Sequence, residues 1–318
     1  MYIGLDIGGT NIKSIITDKD GNILQSHSQK TGKTKSEILT NILSSITSVM
    51  RQANCPKRNI RAVGIGSAGV IDNKNGVIIK SPNIAAWKNY PLAEILKAEM
   101  GIPVYLENDA AVAVIGEWWK GNGAGYKNWI MLTLGTGIGG GAVVNGQLLT
   151  GRDGFACEFG HTTIDYNGED CACGSKGCFE KYASATGFVN LTLKMLHDNK
   201  DSTLHDLLKE QPLTTTLICD EAKKKDPLCA AALEKFSFYL GVGIANMLNI
   251  FNPEAVVIGG GLSKAYKQFL PLVKKTVQIY SFKAINNNVQ FYPVKDEKTG
   301  PALGAVKYAI DKQHGNKQ

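Results

Sequence analysis

The stretch Leu134-Gly135-Thr136-Gly137-Ile138-Gly139-Gly140-Gly141 runs on into Ala142-Val143-Val144, and the residues after the glycines decide which fold the loop serves. Gly135, Gly137 and Gly140 satisfy the spacing GxGxxG. In a dinucleotide-binding domain that spacing opens directly onto a helix. Here a β-like run comes next, and Asn145-Gly146 then signals a hairpin back into Gln147 to Leu149. Gly64, Gly66 and Gly69 match the spacing as well, but they run into Val70 and the turn-rich segment from Asp72 to Gly76. A nicotinamide-binding fold is therefore rejected. Glycines between two hairpin strands let backbone amides approach a phosphate with no Cβ in the way. The plain alternative is a flexible turn.

Two further glycine loops fit the same reading. Asp6-Ile7-Gly8-Gly9-Thr10-Asn11 lies between two β-like runs, with Lys13 just beyond it. Thr10 and Asn11 can donate hydrogen bonds, Lys13 adds positive charge, and the Asp6 carboxylate suits a hard cation such as Mg²⁺. An ordinary tight hairpin is the alternative. Gly259-Gly260-Gly261 stands between a strand and a helix, an opening against which a nucleotide can lie; helix packing alone is the competing explanation. No GxxxxGK followed by Ser or Thr is present, because Gly32-Lys33-Thr34 lacks the earlier glycine, and the catalytic-loop signature of protein kinases is missing too.

Outward from these loops, short β-like runs alternate with amphipathic helical ones, which specifies an α/β protein. Tyr2 to Ile7, Ile12 to Thr17 and Asn22 to Ser28 read as opening strands, the last two joined at Asp20-Gly21. Thr34 to Ala53 has helical spacing through Ile38, Leu39, Ile42, Leu43, Ile46 and Val49. Ala62 to Gly66 is a buried strand, Leu92 to Met100 a helix after Pro91, and Val104 to Leu106 a strand entering a helix over Ala110 to Trp119. The second half repeats the outline. Trp129 to Leu134 is a strand broken by the glycines, Pro227 to Ile250 a long helix, Ala255 to Ile258 a strand, and Leu262 to Tyr280 and Ala302 to Ile310 helices. Gly121, Gly123 and Gly125 mark a hinge. Two domains are expected, 1–117 and 118–318, with a C-terminal helix at about 300–312 returning to the first.

The net charge of +7 raises the question of a nucleic-acid partner. The lysines are scattered in short runs such as Lys223-Lys224-Lys225, without interleaved aromatics, so a solvated basic surface is expected and no nucleic-acid stripe. No signal peptide is seen, nor any apolar stretch near the ~20 residues of a membrane span, which predicts a cytoplasmic protein with no membrane partner.

Three of the seven cysteines, Cys171, Cys173 and Cys178, fall within eight positions, ten residues after His161. Three thiolates and an imidazole make the four-ligand tetrahedral set that Zn²⁺ takes, closed and hence structural. A redox pair or reduced core cysteines are the alternatives. Glu158 precedes this cluster and Glu180 comes after it, so a bound ion would draw both acids into one neighbourhood, where they could accept hydrogen bonds from sugar hydroxyls. Asn108-Asp109 sits at a strand end and helix start, the place where α/β proteins put ligands. Asp109 could take a hydroxyl proton while Asn108 orients the same substrate; Asp109 is equally a good helix N-cap.

These segments together resemble the ROK family of repressors and kinases. The matches are Asp6-Ile-Gly-Gly-Thr-Asn11, Glu107-Asn-Asp-Ala110, Gly135-Thr-Gly-Ile-Gly-Gly-Gly141, Glu158-Phe-Gly-His161, Cys171-Ala-Cys-Gly-Ser-Lys-Gly-Cys-Phe-Glu180, Gly259-Gly-Gly261 and Pro301-Ala-Leu-Gly304. They span nearly the whole chain in the family's order. The resemblance implies an actin-like, ribonuclease-H-like ATPase fold of two domains around a cleft. It also implies an ATP-dependent hexose kinase with Mg²⁺ and a structural Zn²⁺, acting on glucose at its 6-hydroxyl. Asp109 would be the general base, and Asn108, Glu158, His161 and Glu180 would contact the sugar, with His161 bridging it to the zinc. Gly8, Gly9, Thr10, Asn11, Lys13, Thr136 and Gly137 would face the phosphates, and Gly259 to Gly261 and Gly304 would border the nucleotide. Pro82-Asn83, with Trp87 and Pro91-Leu92, resembles the glucokinase-like members and puts Asn83 on the sugar. N-acetylglucosamine and N-acetylmannosamine are the leading alternatives to glucose, and mannose, fructose and allose stay open. Ser67-Ala68-Gly69 departs from the proline-glycine pair of many relatives. Family repressors carry an added N-terminal helix-turn-helix, for which a first strand at Tyr2 leaves no room. A homodimer is expected by analogy.

Overall fold

The computed structural model describes residues 1–81, 84–85, 87–199, 202–286 and 288–315. Asn83 lies outside the described residues. The chain divides into two compact units. The first comprises 1–126, 147–156 and 294–318; the second comprises 127–146 and 157–293.

In the first unit, Tyr2–Ile7 pairs antiparallel with Asn11–Thr17 and parallel with Ala62–Ser67. Ile23–Lys30 extends one edge, and Val104–Asn108 lies parallel to Ala62–Ser67 at the other. The three parallel strands are in near-equal register, so Ile7, Ser67 and Asn108 end together. Their carboxyl ends therefore bring Gly8–Asn11, Ser67–Gly69 and Asn108–Asp109 to one end of the sheet, where sheets of this kind bind ligands.

Helices cover both faces. Lys35–Gln52 buries Ile38, Ile42, Ile46 and Val49, the stripe that its spacing predicts. Its N-cap Thr34 accepts from Glu37 N, which is worth about 1 kcal/mol. The Gly300–Gln313 helix packs on the other face through Ala302, Val306 and Ala309. The sheet offers glycine where this helix comes nearest: a Cβ on Gly4 would lie 2.0 Å from Ala302 O, and one on Gly64 1.8 Å from Ala305 O. A small antiparallel sheet of Val70–Asp72, Val77–Lys80 and Lys88–Tyr90, not expected from the sequence, completes the unit. Its strands have only three or four residues each, too few to show a period.

The second unit repeats the hairpin-plus-parallel plan. Trp129–Leu134 pairs antiparallel with Ile138–Val144 and parallel with Ala255–Gly259, which pairs in turn with Gln290–Pro293. Gly139–Gly141 thus belong to a strand, and only Gly135–Gly137 form the loop, a correction to the longer break read from the sequence. Asn145 (φ 52°) and Gly146 (φ 72°) both take the left-handed conformation of a type I′ turn. The region after Gly259 is a 3₁₀ turn, Gly261–Ala265, followed by the helix Tyr266–Tyr280.

Pro227–Phe251 corrects another expectation. By length and composition it is apolar enough to cross a membrane, with a mean hydropathy of 1.4 over its best window. Most of that window is buried, and Leu228, Ala232, Phe236, Leu240, Ile244 and Leu248 form the centre of the second unit's core. A helix apolar nearly all round is what the middle of a large core requires.

Candidate active site

Each unit carries its own group of the expected residues. In the first, Gly8 N donates to Asn11 O at 3.0 Å and closes the turn between the opening strands. Thr31 Oγ1 donates to Gly8 O at 2.6 Å and fixes it from behind. Gly9, Thr10 and Asn11 are exposed on its outer side. Asp6 and Lys13 are register partners, and Lys13 Nζ lies 3.5 Å from Asp6 Oδ2. Burial pushes the Asp6 carboxyl above its usual value, and the nearby ammonium only partly opposes this. A carboxylate kept in so dry a place suits a cation or a cationic partner.

Asn108, not Asp109, is the N-cap of the Asp109–Lys120 helix, which corrects the plain alternative for Asp109. Its Oδ1 accepts from Ala110 N and Ala111 N at 2.9 and 3.2 Å. Its Nδ2 donates to Gly69 O at 3.0 Å and ties the strand end to the Ser67–Gly69 loop. A carboxamide has two N–H donors, so one remains for a ligand. Asp109 stands at the first helical position, where the helix dipole favours its anion. Glu107 props the same corner, accepting from Asn73 Nδ2 at 2.7 Å and from Asn108 N at 2.8 Å.

In the second unit four segments converge. The Gly135–Gly137 turn is closed by Gly135 N donating to Gly137 O at 3.0 Å and held by Ala185 N donating to Gly135 O at 2.8 Å. Thr136 is exposed at its tip. Gly260 (φ 83°) presses on the residue before that turn, since a Cβ on it would lie 2.4 Å from Leu134 O. Gly160 packs on Ile138 in the same way, which seats Glu158–His161 beside the hairpin. Glu180 lies under the turn: a Cβ on Gly137 would meet its Oε2 at 2.5 Å.

The ligating atoms of His161, Cys171, Cys173 and Cys178 all lie within 4.8 Å of one another. Cys173 Sγ is 3.6 Å from Cys178 Sγ, and Cys171 Sγ is 3.9 Å from His161 Nδ1. A tetrahedral ion with bonds of ~2.3 Å sets its ligands about 3.8 Å apart, so both the donor set and its spacing fit Zn²⁺. The loop that shapes the cluster needs glycine at Gly177 (φ 61°), where a Cβ would lie 1.6 Å from Asp165 O. Glu180 Oε1 sits 3.6 Å from His161 Nδ1 and 3.5 Å from Cys171 Sγ. One carboxylate thus touches both the metal-ligand cluster and the glycine turn. Glu158 is exposed nearby.

Gly304, expected to border a nucleotide, is buried where the Gly300–Gln313 and Asp109–Lys120 helices cross; a Cβ there would lie 1.7 Å from Val112 O. Close packing accounts for it. Sequence reading passed over Tyr266. It lines a hollow of about 320 Å³ with Lys223, Ser263, Lys264 and Lys267, just after Gly259–Gly261. Among the described residues its buried hydroxyl has no hydrogen-bond partner, and burial pushes its pKa up to about 12. A lone tyrosine within an amphipathic helix gives no signal that could have flagged it.

The ROK family model matches residues 2–312. A glucokinase of Halalkalibacterium halodurans is 37% identical over 294 residues, covering 91% of this chain and 89% of that one. A xylose repressor of Caldicellulosiruptor bescii is 31% identical over 97% of this chain and 77% of its own length. Among solved structures, a ROK family glucokinase from Streptomyces griseus in complex with glucose and AMPPNP superposes with a TM-score of 0.83 at 30% identity, covering 97% of this chain and 98% of that one. With its glycine turns, its metal-ligand cluster and this match along almost its entire length, the chain belongs to the ROK family.

Proposed function

We propose that the protein is an ATP-dependent hexose kinase that transfers the γ-phosphoryl group to the 6-hydroxyl of glucose. The observation that carries this reading is Glu180, whose carboxylate lies against both Gly137 of the exposed turn and the His161–Cys171 edge of the metal-ligand cluster. This contact supports assigning the acids to the sugar and the neighbouring turn to the phosphates. Glucose as substrate is supported by the glucokinase relatives.

Phosphoryl transfer asks a protein for alignment and for stabilisation of charge rather than covalent chemistry. In the first unit, Asp109 accepts the proton of the attacking hydroxyl, and the remaining Asn108 N–H orients the sugar. Gly8, its own N–H taken by Asn11 O, lets the phosphates come close, and the amide of Gly9, the side chains of Thr10 and Asn11, and Lys13 hold phosphate oxygens. Asp6 would hold Mg²⁺, which neutralises charge on the phosphates. In the second unit, Glu158, His161 and Glu180 accept or donate hydrogen bonds to sugar hydroxyls. Thr136 and Gly137 meet the phosphates, and the hollow beyond Gly259–Gly261 takes the nucleoside. His161, Cys171, Cys173 and Cys178 would hold a structural Zn²⁺ that fixes the sugar-contacting side chains.

The test is ADP release measured over a panel of hexoses, with glucose, mannose, N-acetylglucosamine and N-acetylmannosamine side by side. Turnover highest with glucose is expected; turnover with no sugar in the panel refutes the reading. A sugar-responsive transcriptional regulator is the second reading, favoured by the xylose-repressor relatives. Sequence-specific retardation of DNA in a gel, without sugar phosphorylation, would establish it instead.

A further inference from the structure

A concavity on the first unit has no part in the proposed reaction. It encloses about 790 Å³, within the ~300–1,000 Å³ of small-molecule pockets. Lys19, Arg61 and Lys312 line it with His314, and Tyr105, half-buried, supplies aromatic surface at its edge. Among the described residues Asp18 is the only acid in the lining. Its carboxylate accepts from Asn22 Nδ2 at 2.7 Å and from Asp20 N and Asn22 N at 2.9 Å, which holds it below the usual carboxylate range and commits it to its own turn. Three permanently charged cations are left without an acidic partner in the lining.

The position is as telling as the charge. Tyr2 opens the first strand, Arg61 immediately precedes Ala62–Ser67, and Tyr105 is the second residue of Val104–Asn108. The pocket therefore lies at the amino ends of the same three parallel strands whose carboxyl ends carry Gly8, Ser67 and Asn108. Five or six residues at ~3.3 Å each separate the two ends by about 16–20 Å. The Arg61 backbone is fixed on both sides, its N–H donating to Met1 O at 2.8 Å and its carbonyl accepting from Gln313 Nε2 at 2.8 Å. Lys19, Arg61 and Lys312 are exposed, and their summed charge attracts an anion, while guanidinium and ammonium groups bind phosphate oxygens through charge-assisted hydrogen bonds.

We propose that this pocket binds a phosphate-bearing small molecule, its phosphate among Lys19, Arg61 and Lys312 and its body against Tyr105. The site is separate from Gly8–Asn11 and Asp109.

The probes are phenyl phosphate, inorganic phosphate and phenol, titrated calorimetrically into the full chain. One equivalent of phenyl phosphate should bind, more tightly than inorganic phosphate, and phenol should bind weakest. The double variant Arg61→Glu, Lys312→Glu should weaken phenyl phosphate binding about ten- to a hundredfold, the loss expected for removing charged hydrogen-bond partners. Arg61→Gln with Lys312→Gln serves should the charge reversal unfold the chain. Both pairs should leave glucose phosphorylation unchanged in the absence of the probe. Absence of saturable binding, or binding that neither pair alters, overturns the proposal. So does retention of a single-stranded oligonucleotide that depends on these residues without any binding of phenyl phosphate.

Discussion

Replacing Gly137 by alanine is a sharp test of the link between the glycine turn and the sugar-contacting acids. The added methyl would sit 2.5 Å from Glu180 Oε2, where ordinary contact begins near 3.4 Å. The carboxylate must withdraw by about 0.9 Å. It cannot do so and keep its place beside His161 Nδ1 at 3.6 Å and Cys171 Sγ at 3.5 Å. The obstructing atom is the end of a flexible side chain, so the fold yields readily and Tm should stay within a few degrees. A displacement of about 1 Å in a positioning group costs on the order of 10²-fold in rate, or roughly 2.7 kcal/mol of transition-state stabilisation. We expect kcat/KM for glucose, from coupled ADP release, to fall about a hundredfold at unchanged metal content. Gly135→Ala, whose methyl meets nothing within 4 Å, should leave the KM for glucose unaltered. If Gly137→Ala keeps kcat/KM within threefold of the parent, Glu180 is not positioned by this turn and the reasoning fails.

Other perturbations test the remaining parts. Asp109→Asn should lower kcat ~10²–10⁴-fold with Tm unchanged, and full turnover would remove Asp109 from the role of base. A zinc chelator should lower Tm and weaken glucose binding, with metal analysis of the untreated protein showing one zinc per chain; no metal and no effect would leave the cluster as reduced thiols. Gly177→Ala, whose methyl would meet Asp165 O at 1.6 Å, should lose the metal as well as stability, and full zinc occupancy would count against the loop geometry. The buried Asp6 carboxyl has a raised pKa, so its contribution to stability is present at low pH and lost as pH rises through the folded value. At pH 7 it is a net cost to the ligand-free protein. Asp6→Asn should therefore hold or raise Tm at pH 7 while abolishing Mg²⁺-dependent turnover; a marked drop in Tm would refute this account.

Much of the fold is written locally. Tyr2–Leu5, Ala62–Gly66 and Ala255–Gly259 are unbroken apolar runs, as strands covered on both faces must be, and the stripe of Lys35–Gln52 names its own buried side. The metal cluster was legible because ligand spacing is a covalent fact of the chain. The strand that swallowed Gly139–Gly141 was hidden because glycine carries little β-propensity, and only pairing with Trp129–Leu134 makes those residues extended. The span-like character of Pro227–Phe251 was hidden because Glu234 and Lys235 interrupt the apolar run, while its burial depends on neighbours far along the chain. Gly304 shows why a glycine is ambiguous in sequence, because one needed for a close helix crossing looks the same as one needed beside a nucleotide. The contact of Glu180 with Gly137 lies 43 residues apart in sequence and could be seen only in three dimensions.

The seating of the Gly300–Gln313 helix on the opening strands sets an order of events during synthesis. Tyr2, Ile15 and Ala62 bury their side chains against Ala302, Val306 and Ala309, which the ribosome makes long after them. The second unit, apart from its hairpin at 127–146, is made from one continuous stretch that ends at residue 293 and can close while translation continues. The first must wait, its sheet lacking a cover on one side, until the Gly300–Gln313 helix emerges. For that interval the nascent chain offers a bare apolar surface, which is the kind of surface that chaperones hold and that aggregates when it is left alone.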